Sequence, residues 1–140
     1  MTARAWLRGG LSLVAVAETL VGLWQTLLPE HFFGSFPAAA HAWVAALPPY
    51  NEHLLRDQGG MHLTTAVIFA AAALTMDRWL VRIAPLANLA FALPHLIFHA
   101  THLDALSPGD AAAQTLTLLA SVLLPAALLA LSRSVPRPSG

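Results

Sequence analysis

Residues 83–103 read IAPLANLAFALPHLIFHATHL. The stretch contains no Asp, Glu, Lys or Arg, and its only ionisable side chains are His95, His99 and His102. It has the length of about 20 residues that a helix needs to cross about 30 Å of hydrocarbon. At 100° per residue, Asn88, His95, His99 and His102 fall on one narrow stripe, and apolar side chains cover the rest of the surface. Such a stripe cannot be left against lipid, because polar groups inside a membrane face a bundle interior or a water-filled cavity. The run therefore calls for partner helices of the same kind.

The rest of the chain supplies them. Four spans are expected at about 6–29, 56–76, 80–103 and 111–132, separated by an outer loop over 30–55 and two short turns. The fold class is all-α: an integral-membrane four-helix bundle, one domain over residues 1–140. Apolar residues make up 57 % of the 140 residues and charged ones 10 %, against about 25 % charged in a typical soluble domain. A small soluble globule has too much surface to keep wet with so few charges. The same composition argues against a disordered chain or a nucleic-acid binder. Period-two alternation is absent, which argues against a membrane barrel. With no cysteine, disulfide scaffolds, thiolate metal sites, iron–sulfur clusters and cysteine nucleophiles are excluded.

The connections fit this reading. Pro29 closes the first span, and the outer loop holds Pro37, Pro48 and Pro49 with room for a short helix near 38–46. Asn51 is placed to cap the second span, and Ser107-Pro108-Gly109-Asp110 reads as a turn ending on an N-cap acid. Arg4, Arg8, Arg78, Arg82, Arg133 and Arg137 fall at one end of a four-span chain, and only Arg56 at the other. By the positive-inside rule both termini are cytoplasmic. Arginine-rich, lysine-free usage points to a high-GC bacterium and so to its inner membrane. Ala15-Val16-Ala17 resembles a signal cleavage site, but the apolar stretch before it is short for a signal peptide.

Every span carries a polar seam at helical spacing: Glu18, Gly22 and Gln25; Gln58, His62 and Thr65; Asn88 with the three histidines; Gln114, Thr117 and Ser121. At 1.5 Å per residue, His62, His99, His95 and Glu18 lie about 8, 6, 12 and 15 Å below the outer ends of their spans. They can meet in the outer half of a bundle, with His102 at its mouth. Pro94 frees the carbonyl of Ala90 beside the stripe. His95 and His99, at i and i+4, can point at one ion, and neutral imidazole suits zinc, copper and iron. Glu18, His62, His95 and His99 are thus the candidate metal ligands, with bis-histidine haem as a variant. The competing reading is that the same groups hydrogen-bond across helices and hold the bundle together.

Asn51–Asp57 is the other dense cluster, with Glu52/Arg56 and His53/Asp57 as i,i+4 pairs. These read either as solvated salt bridges or, for Arg56, as a clamp for an anionic or quinone headgroup. Arg56 and His102 are the candidate cofactor-binding residues at the mouth. Trp6, Trp24, Trp43, Tyr50 and Trp79 suit interface anchoring, and Phe32, Phe33 and Phe36 with Trp43 suit a cap over the outer mouth. Gly22, Gly59 and Gly60 are expected to let helix backbones approach closely.

A glycine-bearing first helix ending in proline, a long outer loop, then Arg56-Asp57-Gln58-Gly59 opening the second span resembles the DoxX-like superfamily of small bacterial four-helix membrane proteins. The resemblance implies the bundle fold and, in some members, association with membrane oxidoreductases and quinones; it transfers no catalytic residue. Two functions follow as expectations. One is a redox-associated protein with a His/Glu site that takes a metal, haem, quinone or small apolar ligand. The other is an accessory subunit of a larger membrane complex. No G-x-S-x-G or Ser-His-Asp pattern suggests serine hydrolysis, and no inverted repeat suggests a transporter.

Overall fold

The computed structural model describes residues 2–134. Among them the chain is all helical, without strands: α1 (Ala3–Leu27), α2 (Pro29–Ser35), α3 (Glu52–Thr75), α4 (Leu80–Ala100), α5 (Pro108–Leu131) and a closing 3₁₀ turn at Ser132–Ser134. The remainder of the Pro/Ser-rich tail, with Arg137 of the arginine count, lies outside the described residues. Three helices, α1, α4 and α5, are long and apolar enough to cross a membrane, with mean hydropathies of 1.4, 1.5 and 1.9. The 24-residue α3 is as long, but it opens with Glu52, Arg56 and Asp57 and carries Gln58 and His62. Large apolar side chains point outward along the helices, among them Val67, Leu74, Leu116 and Leu123. A soluble monomer avoids exposed apolar surface on that scale, whereas lipid accommodates it.

Helix ends follow local chemistry. Pro29 does not simply end the first span. α1 stops at Leu27, Leu28 leaves helical geometry, and Pro29 opens α2, because its missing N–H and fixed φ suit a first helical position. The outer loop therefore begins with a helix, and residues 38–46 form turns rather than the expected short helix. It also ends earlier than 55: Asn51 Oδ1 accepts from the Leu54 N–H at 3.0 Å and starts α3 at Glu52. α5 is capped by Ser107, whose Oγ accepts from the Asp110 N–H at 3.1 Å, so Ser107 rather than Asp110 is the N-cap. α4 ends at Ala100 rather than 103.

α1 and α3 form the most extensive pair, α4 lies along α5, and further contacts join α3 to α4 and α1 to α5. One end of this arrangement is sealed by a core of Leu7 and Leu11 from α1, Phe69 and Ala72 from α3, Val81 and Ala84 from α4, and Leu128 from α5. Arg4, Arg8, Arg78, Arg82 and Arg133 belong to this end. Met76 closes α3 in the left-handed conformation, with φ 51°. Glycine usually fills that position, but the Met76 side chain is buried in the core, which offsets the backbone strain. Towards the other end the α1 and α3 backbones touch at two glycines. A Cβ on Gly22 would lie 2.9 Å from the Gly59 carbonyl oxygen, and one on Gly59 2.9 Å from that of Gly22. Gly60, expected to share this contact, has nothing within 4 Å of its Cβ position.

Candidate functional site

Between the glycine contact and the core at the arginine end, α1 and α3 hold the central polar pair. His62 Nδ1 donates to Glu18 Oε2 at 2.5 Å, and each side chain is 18 % exposed. Asn88 Nδ2 of α4 reaches the second carboxylate oxygen at 3.4 Å, so three helices converge on Glu18. In an apolar interior a lone carboxylate is costly; here a short hydrogen bond and an amide dipole offset that cost.

The imidazoles of α4 continue from this point. His62 meets Phe91 edge-on at 5.9 Å between ring centroids, Phe91 stacks on His95 at 5.0 Å, and His95 meets His99 at 4.5 Å. Gln114 of α5 is buried beside this turn. The His99 and Gln114 side chains approach each other, but His99 Nδ1 and Gln114 Oε1 are buried without a hydrogen bond of normal geometry among the described residues, unusual for buried polar atoms. His102 lies past the helix end, stacked on Phe98 at 4.2 Å, with Nδ1 donating to the Phe98 carbonyl at 2.7 Å.

The four candidate metal ligands thus sit as two pairs, Glu18 with His62 and His95 with His99. Among the described residues no group of three or more His, Asp or Glu is arranged to share one ion. The α5 seam is only partly inward: Gln114 is buried, whereas Thr117 and Ser121 are exposed and donate to their own helix, to the carbonyls of Ala113 and Leu118. Arg56 pairs with Glu52 at 2.8 Å and also donates to the Thr26 carbonyl. It thereby satisfies an orphan acceptor at the end of α1. The His53–Asp57 pair forms at 3.3 Å.

A second cluster escaped the helical-phase argument because it joins a loop to a helix end. Asp110 Oδ1 accepts from His41 Nδ1 at 2.6 Å and from Trp43 Nε1 at 2.9 Å, while Oδ2 accepts from Ser107 Oγ at 2.7 Å. Between the two loop donors Ala42 has φ 42°, a conformation that non-glycine residues avoid. An open cleft of about 440 Å³ lies beside this clamp, walled by Pro37, Trp43 and Ala113. Of the four aromatics expected to form a cap, Phe32, Phe36 and Trp43 lie in successive ring contacts continued by Trp24, while Phe33 turns to Tyr50.

Compared with known protein families, curated proteins and solved structures, the chain matches none.

Proposed function

We propose that this chain is a multi-pass protein of a bacterial inner membrane. In this reading α1, α3, α4 and α5 span as a four-helix bundle, both termini are cytoplasmic, and the outer half holds a protonatable polar site. The observation that carries the proposal is the 2.5 Å contact between Glu18 and His62, inside helices whose other faces are apolar. A carboxylate and an imidazole in direct hydrogen bond form a site that can take up or pass a proton, and intramembrane ionisable groups of this kind mark proton and ligand pathways. His95 and His99 lie between this pair and the outer surface, and the unpartnered His99 Nδ1 and Gln114 Oε1 offer hydrogen bonds to a small polar ligand or water. Metal binding keeps the support of the His95–His99 turn, a donor set of two imidazoles. Kinship with DoxX-like proteins is proposed on the Arg56-x-x-Gly59 opening of α3, whose glycine meets the α1 backbone at Gly22 and Thr26.

The accessory-subunit reading has its own support, since Glu18, His62 and Asn88 satisfy one another. Infrared spectra of reconstituted protein after transfer to D₂O separate the two, with Glu18→Gln identifying the carboxyl band. A site in contact with the outer surface exchanges the Glu18–His62 proton promptly, and His95→Phe/His99→Phe slows that exchange without unfolding the bundle. Slow exchange in the unaltered protein, or a rate indifferent to the α4 histidines, would favour the structural role.

A further inference from the structure

We propose that the groove between α1 and α3 at the arginine end is a binding site for one anionic phospholipid, its phosphate at Arg8 and one acyl chain lying along the groove. The inference shares the membrane reading of α1 with the proposed function but is independent of the Glu18–His62 site. The groove has a volume of about 320 Å³. Its floor and walls are Ala15 and Val16 from α1 and Ala70, Ala73 and Leu74 from α3, and its head carries Arg8 and Ser12. Arg4, Arg8, Ser12 and Val16 follow one another at i, i+4 spacing, so the two cations and the hydroxyl lie above the apolar trough on one helix face.

Charge complementarity names the occupant. Like charges at i, i+4 repel, and α1 has no acid near Arg4 and Arg8. The acid at this end, Asp77, accepts the Trp79 and Leu80 N–H groups with its Oδ1 and starts α4. Among the described residues Arg56, at the far end, is the arginine that forms an ion pair. Ser12 has no hydrogen-bond partner among the described residues, whereas Thr19, Thr64, Thr65 and Thr75 each donate to the carbonyl one turn back. Two unneutralised guanidinium groups and an unspent hydroxyl at headgroup depth suit a phosphate. Burying an acyl chain against protein brings no hydrophobic gain when its surroundings are already lipid. Selectivity therefore rests on the headgroup, and the groove contributes by shape.

The test is native mass spectrometry of the purified full chain titrated with phosphatidylglycerol or phosphatidylcholine of identical acyl chains. Flotation with vesicles checks membrane insertion separately, and thermal melting checks folding. The proposal expects one phosphatidylglycerol to be retained in preference to phosphatidylcholine. Arg8→Gln should weaken that binding about fivefold, the scale of one basic residue at an anionic surface. Ala70→Leu, which fills the trough and keeps every charge, should weaken it as well; Ser12→Leu is the second blocking variant if Ala70→Leu fails to fold. Arg133→Gln, at the same end but not lining the groove, should leave it unchanged. Equal retention of the two lipids, equal losses for Arg8→Gln and Arg133→Gln, or full binding by folded variants with a filled groove would each overturn the site.

Discussion

At the scale of single residues, neighbouring glycines with opposite surroundings give the cleanest test of packing. Gly59 faces α1, where an added Cβ would lie 2.4 Å from Thr26 Oγ1 and 2.9 Å from the Thr26 backbone nitrogen. Gly60 faces open space. Gly60→Ala should therefore stabilise the protein by up to about 1 kcal/mol through helix propensity. Gly59→Ala should cost about 1–3 kcal/mol, because backbone cannot rotate out of the way and the helices must part. Thermal or denaturant unfolding in detergent compares the two, and equal effects would remove the glycine contact as a determinant of α1–α3 packing. The sequence suggested all three glycines, Gly22, Gly59 and Gly60, as contacts because composition does not distinguish adjacent faces of a helix. Helical phase did anticipate the convergence of Glu18 and His62, since both had to leave lipid at similar depth. Hydrogen bonding across helices was the competing reading of these groups, and His62 with Glu18 follows it; phase could not show that His95 and His99 stay apart as a separate turn, because phase sets direction and not distance.

At the scale of elements, the outer loop is tied to α5 by a single carboxylate. Asp110 receives His41 and Trp43 from the loop and Ser107 from its own helix start. Trp43 is buried, so removing its acceptor leaves an indole N–H without a partner, which buried polar groups do not tolerate. Asp110→Ala should release residues 36–50, seen as faster amide exchange and proteolysis there with α1 and α3 unchanged. Ala42→Gly should act in the other direction, since a left-handed alanine costs about 1 kcal/mol that glycine does not incur. Equal protection of the loop in Asp110→Ala and the unaltered chain would show that the aromatic contacts suffice. This clamp was illegible beforehand for a physical reason: periodicity reads helix faces, and His41 and Trp43 stand on no regular element. Pro29 was misread for a related reason, because the same residue that cannot continue one helix is well suited to begin another.

At the scale of the whole molecule, α3 decides between three strongly apolar spans and a bundle of four. Its pairing with α1 through Gly22 and Gly59 and its share of the core at the arginine end make it as long and as central as its partners. Its histidine, His62, is held by Glu18 of α1, and Gln58 is half-buried. A helix whose polar groups are satisfied internally can span at modest mean hydropathy, because the cost of insertion is set by what lipid meets. If α3 spans, the loop before it and the turn after it are on opposite sides, and all five described arginines outside Arg56 share the cytoplasmic side. The absence of native cysteine makes this directly measurable by introducing Ala3→Cys, Ala40→Cys, Trp79→Cys and Ala105→Cys one at a time, all at exposed positions. Ala40→Cys and Ala105→Cys should react with an impermeant thiol reagent in intact cells, and Ala3→Cys and Trp79→Cys only after permeabilisation. Labelling of positions 40 and 79 from the same side would mean that α3 does not cross. The inverse pattern at all four positions would turn the molecule over, moving the Glu18–His62 site to the cytoplasmic half and the Arg8 groove to the outer leaflet.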